Sequence, residues 1–191
     1  MRRENTYEWG LQDNTGALQG AFAPGCWRWW GAANIPAGSW THVAAGVDGT
    51  NEKHFVNGVF VEQDGCAGSL TINNDDFKIG ARGGDSGHSS QFRGSVDEAM
   101  VFGAMLSDIE VAAIYAGFVA GDAGAIAKAD LPESLVGYWP LDASGIDVSG
   151  NGLSGTFVNA VRHRHMSCPD ARWLAELPTD YLCVWLCADC V

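Results

Sequence analysis

The sequence predicts an all-β protein: an antiparallel two-sheet β-sandwich with one short helix and an irregular C-terminal tail. Three observations support this prediction. Short runs of β-branched and aromatic residues recur at roughly even spacing through the first hundred residues, turn residues separate them, and only one clear stretch, near residue 108, changes to helical spacing. Short strands with turn chemistry between them are typical of sandwiches.

The strongest hairpin signal is Asn57-Gly58, which separates Phe55-Val56 from the run Val59 to Val61. Asn-Gly readily adopts the two positive φ angles of a type I′ turn, so these runs are expected to pair. The preceding strand, residues 39–48, leads into the turn pair Asp48-Gly49. Further strands are predicted at residues 69–72, 77–81, 92–103, 135–142 and 155–161.

One segment has helical character. Ser107 is followed three residues later by Glu110, which is the spacing of a capping box, and apolar residues then recur at near-helical intervals. A short helix is therefore expected from about Asp108 to Ala116. The Ala- and Gly-rich connector that follows runs up to Pro132.

The charge balance and the hydropathy exclude some partners. The chain has 23 acidic and 11 basic residues and a net charge of -12, so nucleic acid is a poor partner. No run approaches the roughly 20 apolar residues that a membrane helix needs, so membrane insertion is not expected. The first ten residues lack the apolar core of a signal peptide.

Six cysteines divide into two groups. Cys26 and Cys66 lie among strand-like segments and are candidates for a disulfide. The other four fall within the last 24 residues, at spacings that do not match zinc ribbons or fingers. A tail disulfide, a metal site that includes His163 and His165, and unpaired thiols all remain open. Residues 162–191 show no alternation and are expected to form a Cys/His-containing tail that is poorly ordered.

Two groups of residues resemble a known family. The first begins at Trp40 and ends at Gly58, and the second runs from Ile79 to Glu110. Together they resemble the central and C-terminal signatures of laminin G-like, concanavalin A-like lectin/glucanase jelly-roll domains. The resemblance implies a jelly roll over residues 6–118. The matching residues are Trp40, His42, Val43, Ala44, Asp48, Gly49, Phe55, Val56, Asn57, Gly58, Ile79, Gly80, Phe92, Gly94, Val96, Asp97, Glu98, Leu106, Ser107 and Glu110.

The N-terminal signature of the same family lies out of order. It matches residues between Gly137 and Gly152, after the C-terminal signature, so the first jelly roll lacks its N-terminal strands. Residues 119–134 are a linker, and residues 135–161 either begin a second repeat or complete the first. An unfilled slot would leave an exposed sheet edge, which favours completion. We therefore expect residues 136–141 to pair with residues 96–102.

The family resemblance also implies a structural calcium ion. Calcium takes six to eight oxygen ligands. The residues that match are Asp97, Asp147 and Asn151. The alternative is that Asp97 hydrogen-bonds a neighbouring loop while Asp147 and Asn151 form turns. A second acidic loop, residues 73–76, is expected to be a hairpin turn.

A cluster of tryptophans suggests a ligand-binding surface. Trp27, Trp29 and Trp30 lie within four residues, with Arg28 between them and Asn34 nearby. Exposed aromatic rings stack on sugar faces, while Arg28 and Asn34 could supply hydrogen bonds. Core packing is the alternative. Trp40 and Trp139 match core positions of the family.

No catalytic constellation is evident. The glucanase pattern of three carboxylates on one strand is absent, and Asp97 and Glu98 are adjacent, so strand alternation would place them on opposite faces. The expected function is a non-catalytic extracellular or cell-surface module for recognition or adhesion that binds a glycan or a surface glycoprotein. The alternatives are a fragment of a larger polysaccharide-degrading enzyme and a structural repeat of a surface protein.

Overall fold

A computed structural model describes residues 2–3, 7–11, 16–22, 26–66, 77–80, 92–120, 127–142, 144–157, 171–173 and 181–188. Their strands are β1 Arg2–Arg3, β2 Tyr7–Leu11, β3 Ala17–Phe22, β4 Cys26–Asn34, β5 Trp40–Val47, β6 Asn51–Val56, β7 Val59–Gly65, β8 Phe77–Ile79, β9 Gly94–Phe102, β10 Leu135–Trp139, β11 Thr156–Phe157, β12 Ala171–Trp173 and β13 Tyr181–Ala188. Helix α1 spans Asp108–Ala120, and a short 3-10 helix spans Lys128–Asp130.

The strands form two antiparallel sheets. The first has seven strands in the order β11-β12-β8-β1-β2-β3-β4, and the second has six in the order β10-β9-β13-β5-β6-β7. One buried cluster contains apolar residues of both sheets, so the sheets pack face to face. This arrangement confirms the predicted all-β, two-sheet sandwich with one helix.

The core lies in two layers. Alternation along β5 directs Val43 and Val47 into the cluster between the sheets, whereas Ala44 belongs to a second cluster that α1 covers through Val111 and Ile114. The inter-sheet cluster consists of Trp9, Leu18, Ile35, Val43, Ala45, Val47, Cys66, Phe77, Ile79, Val96, Ala99, Val101, Trp139 and Leu141.

Two local predictions are confirmed. Asn57 and Gly58 have φ angles of 50° and 74°, and they connect β6 to β7 as the hairpin turn. The capping box also forms: the Ser107 N–H donates to Glu110 Oε2 at 2.7 Å, and the Glu110 N–H donates to Ser107 Oγ at 3.3 Å. Helix α1 begins where the box predicts and continues one turn beyond the expected end.

The two tryptophans expected in the core, Trp40 and Trp139, differ in their exposure to solvent. Trp139 is fully buried, as predicted, and its indole N–H donates to the Leu153 carbonyl at 2.8 Å. Trp40 is 38% exposed, so the core prediction is wrong for this residue. Trp40 is the first residue of β5 and follows an exposed turn, where the sheet covers only part of its ring.

The displaced segment pairs as predicted. Strand β10 runs antiparallel to β9, with Tyr138 opposite Met100 and Trp139 opposite Ala99. A register shift lies between Leu135 and Gly137. β10 is therefore the outermost strand of the six-stranded sheet, and its other edge has no strand beside it in the described part of the chain.

The structure differs from the expectation in the C-terminal tail. Residues 181–188 form β13, which lies between β9 and β5 in the second sheet. The sequence YLCVWLCA is almost entirely apolar, which is the pattern of a strand covered on both faces. Such a strand shows no alternation, and this is why the segment appeared irregular.

Some predictions fall outside the described residues, namely the strand at 69–72, the acidic turn at 73–76, the last four residues of the strand predicted at 155–161, the cysteine and histidines of residues 162–170, and Cys190. Within the described ranges, no helix combines the length and the apolar character needed to cross a bilayer.

Candidate functional site

The predicted calcium ligand Asp147 is the centre of a hydrogen-bonded loop beside β10. Its Oδ1 accepts from the N–H groups of Tyr138, at 3.0 Å, and Ser149, at 2.8 Å. Its Oδ2 accepts from the Ser149 hydroxyl and from the Leu153 N–H, both at 2.9 Å. Through these hydrogen bonds, Asp147 holds the loop against the backbone of β10.

These hydrogen bonds determine the direction in which the pKa of the Asp147 carboxyl is shifted. Burial alone would raise the pKa of its carboxyl, but the hydrogen bonds from Tyr138, Ser149 and Leu153 outweigh burial and hold that pKa below its usual range. Four donors occupy the roughly four lone-pair positions of a carboxylate. A calcium ion would have to displace at least one of them, so this arrangement does not fit Asp147 as a ready ligand.

The other loop candidate, Asn151, also contacts β10. Its side-chain amide donates to the Val136 carbonyl at 2.8 Å, and the same carbonyl accepts from the Ser149 hydroxyl at 3.2 Å. The structure therefore brings Asp147 and Asn151 together, as the resemblance implied. It uses them to hold the loop against a strand, which corresponds to the turn-forming alternative.

The third candidate, Asp97, lies in β9 next to a β-bulge. Glu98 has a φ of 52°, and the register with β13 shifts between Cys183 and Trp185, opposite this point. Asp97 Oδ1 accepts from the Glu98 N–H at 3.1 Å. Asp97 and Glu98 were expected to face opposite ways because side chains alternate along a regular strand, and the bulge interrupts this alternation.

Glu98 itself is the most perturbed acid among the described residues. Burial raises the pKa of its carboxyl to about 7, the hydrogen bond from the Tyr138 hydroxyl partly opposes this, and the nearby charges of Asp97 and Asp142 add to it. Leu141, which also has a positive φ of 66°, lies on the facing segment, where the Pro140 carbonyl accepts from the Glu98 N–H. Strained backbone and a shifted carboxyl often coincide at functional sites.

A second buried polar pair lies between the sheets. His54 Nε2 and Glu52 Oε1 are 2.7 Å apart, and both residues are at most 2% exposed. Glu52 Oε2 has no hydrogen-bond partner among the described residues. The pair rests against Gly20 of β3, where a Cβ atom would lie 2.5 Å from Glu52 Oε1. A Cβ atom at this position would therefore force the buried Glu52 carboxylate to shift.

The tryptophan cluster lies on β4, which is the last strand of the seven-stranded sheet. Trp27 pairs with Ala21, Arg28 with Gly20 and Trp29 with Gln19, so these residues occupy consecutive positions beside β3. Trp30 follows them, and Asn34, at the end of the strand, is exposed. The side chains of residues 26–30 lie outside the described part of the structure.

Cys66 is buried and disulfide-bonded. It lies just after β7, within the core between the sheets. Its predicted pairing with Cys26 remains a prediction, because the Cys26 side chain is not among those described.

Sequence reasoning missed the two buried polar pairs. Nothing in the local pattern of β9 indicates a bulge at Glu98, and the partner of Glu98 comes from a strand 40 residues away. The alternation of Glu52, His54 and Val56 on one face of β6 was a detectable signal for a polar inter-sheet pair. Among the described residues, no group of three or more His, Cys, Asp or Glu side chains is arranged to hold a metal ion.

Comparison with known proteins supports one family. Searches found no significant match to a curated protein or to a solved structure. The laminin G model of the concanavalin A-like lectin/glucanase superfamily matches residues 1–112, which is more than half of the chain. This match begins in the first sheet, passes through β5 to β9 and ends in α1, and it agrees with the antiparallel two-sheet architecture. The chain therefore belongs to the concanavalin A-like lectin/glucanase superfamily and has its jelly-roll sandwich fold.

Proposed function

We propose that this protein is a non-catalytic carbohydrate-binding module that acts in recognition or adhesion outside the cell. Family membership carries the proposal, because the superfamily includes lectins as well as glucanases. A glycan, free or on a surface glycoprotein, is the proposed ligand. The fold alone does not specify which sugar is bound.

The position of the tryptophan cluster supports this function. β4 is a nine-residue strand at the margin of its sheet, and it presents Trp27, Trp29 and Trp30 within one short stretch. Among the described strands β4 has one neighbour, β3, and a strand at the margin of a sheet is more accessible to a ligand than a central strand. Aromatic rings at such a position offer the flat apolar surfaces on which sugars stack.

The disulfide of Cys66 supports an extracellular location. Disulfides persist in oxidising compartments and are rare in the cytosol. A buried cystine in this sandwich is the form expected of a secreted or cell-surface domain. Recovery of free thiol at Cys66 from the native protein would count against this location.

A glycan array, probed with and without calcium, tests the function. We expect binding that falls at least tenfold in Trp29→Ala or Trp30→Ala. Trp40→Ala is the matched control, because it removes a partly exposed indole on β5, outside the cluster. Equal loss in all three variants would count against the tryptophan cluster as the binding surface, and the absence of binding to any glycan would favour the structural-repeat alternative. Loss of binding on calcium removal would support the calcium site that the family implies.

One observation favours the enzymatic alternative. A buried carboxyl with a pKa of about 7, such as that of Glu98, is what a glycosidase uses as a general acid. Reducing-sugar release from polysaccharides by the wild type, abolished in Glu98→Gln, would establish this alternative. Glycan binding without release, retained in Glu98→Gln, is the result expected of a binding module.

A further inference from the structure

The outer face of the seven-stranded sheet, which points away from the core between the sheets, concentrates positive charge in an acidic chain. Two strands establish which positions belong to this face. Phe77 and Ile79 of β8 are buried in the inter-sheet cluster, so alternation places Lys78, between them, on the outer face. Trp9 of β2 lies in the same cluster, so the neighbouring position, Glu8, also belongs to the outer face.

The strand register extends this assignment across the sheet. Residues that lie opposite one another on antiparallel strands share a face. β1 and β12 both pair with β8, and they place Arg2 on one side of Lys78 and Arg172 on the other. Glu8 follows next to Arg2, and Thr156, which is exposed, lies next to Arg172. We call the residues Glu8, Arg2, Lys78 and Arg172 the basic row.

The basic row has an excess of positive charge. Adjacent strands lie about 4.8 Å apart, so the backbones of Arg2, Lys78 and Arg172 fall within about 10 Å. Like charges directly opposite one another destabilise a sheet. Glu8 supplies one acid against three bases, although the chain as a whole has twice as many acids as bases. An anionic ligand would therefore be attracted to this row and would relieve its repulsion.

Two features indicate an extended ligand such as a carbohydrate chain. Trp27 lies opposite Ala21, which lies opposite Glu8, so the tryptophan strand β4 continues the basic row. Trp27 is three strand spacings, about 14 Å, from the nearest base of the row, which is too far for a simple anion to contact both. The face is also accessible where its side chains are described, since Lys78 is half-buried, Thr156 is exposed and α1 packs on the other sheet.

We propose that the basic row binds the carboxylates of a uronic acid-containing glycan whose chain extends across the strands toward Trp27. This inference rests on the proposed function and names the class of carbohydrate. Guanidinium groups hold carboxylates through paired hydrogen bonds, and a lysine adds a point charge. The net charge of -12 opposes a densely charged polyanion such as a polysulfated chain, whereas separated carboxylates match a short row of bases.

Titration calorimetry of the full chain in EDTA tests this proposal, since EDTA removes cations that would bridge two sets of carboxylates. The ligands are oligogalacturonate, the same oligosaccharide with its carboxyls methyl-esterified, and heparin as a polysulfated chain. Lys78→Gln and Arg172→Gln each remove one base of the row. Arg93→Gln is the matched control, because it removes an exposed base outside the row, just before β9.

We expect oligogalacturonate to bind about tenfold more tightly than its methyl ester, and Lys78→Gln and Arg172→Gln each to weaken its binding by about tenfold, the equivalent of one charge-assisted hydrogen bond. Arg93→Gln should leave the affinity within about twofold of the wild type, because solvent and salt screen a distant exposed charge. The two row variants test the proposal independently, so one that fails to fold leaves the other informative.

Three results would overturn the proposal: equal affinity for the acid and its methyl ester, tighter binding of heparin, or an equal loss of affinity in Arg93→Gln. Binding of a neutral glycan that is lost in Trp29→Ala, without any preference for the acid, would overturn this inference and leave the proposed function standing. The absence of binding to any glycan would overturn both.

Discussion

Glu98 should make the stability of this protein fall as the pH rises. Its carboxyl titrates near 4.5 when exposed, whereas burial raises its pKa in the folded protein to about 7. Between these two values the unfolded state has released its proton and the folded state still holds it. Fewer protons are then bound in the unfolded state, so the free energy of unfolding decreases with increasing pH.

The size of the effect follows from the pKa difference. Each pH unit is worth about 1.4 kcal/mol, so a rise from 4.5 to about 7 corresponds to about 3 kcal/mol. This loss in the free energy of unfolding is absent below pH 4.5 and complete above pH 7. Glu98→Gln keeps an oxygen that can accept from the Tyr138 hydroxyl and removes the titration.

Urea unfolding of wild type and Glu98→Gln across pH 4 to 8 tests this reasoning. EDTA in the buffer prevents a cation from neutralising the acids around Glu98. We expect the two proteins to have nearly equal stability at pH 4, and the variant to be more stable by up to about 3 kcal/mol at pH 8. If the difference in the free energy of unfolding between wild type and Glu98→Gln does not change with pH, Glu98 is not buried as an uncharged carboxyl.

The other predictions concern the acid side, the sheet interface and the disulfide. Burial lowers the pKa of His42 from 6.5 to about 4. Between these values the unfolded state binds a proton that the folded state does not, so the free energy of unfolding should fall by about 3 kcal/mol as the pH falls from 6.5 to 4. In the same urea assay, His42→Gln in the Glu98→Gln background should abolish this dependence on pH. Gly20→Ala should lower the free energy of unfolding by about 1–3 kcal/mol because its Cβ meets the Glu52 carboxylate, whereas Gly65→Ala, which meets no atom within 4 Å, should change it by less than about 1 kcal/mol. Cys66→Ser should lower the free energy of unfolding by about 4 kcal/mol if the disulfide closes a loop of about 40 residues back to Cys26, the predicted partner. A non-reduced peptide map that shows a different partner would contradict that pairing.

Local chemistry explains why several elements were predictable from sequence. The two positive φ angles at Asn57-Gly58 and the reciprocal bonds of Ser107 and Glu110 are formed by residues at most three positions apart. Their geometry depends little on the remainder of the chain. The pairing of β10 with β9 is a long-range contact, but a family signature in the wrong order indicated it before the structure did.

The roles of the candidate site residues depended on the tertiary structure. The sequence identified Asp147 and Asn151 as oxygen-rich loop residues, which suits both a metal site and a turn. Only the folded loop places four donors around Asp147 and directs Asn151 to a strand carbonyl. The bulge at Glu98 likewise required the register between three strands.

By itself, the sequence determined the antiparallel sandwich, its hairpin, its capped helix and its superfamily. These features rest on alternation, turn chemistry and signature residues, all of which are properties of short segments. The tertiary structure decided the insertion of β13, the exposure of Trp40, the raised pKa of Glu98 and the covered edge of β10. Each of these arises from contacts between segments distant in the chain, where burial and hydrogen-bond partners are set by packing and cannot be read from neighbouring residues.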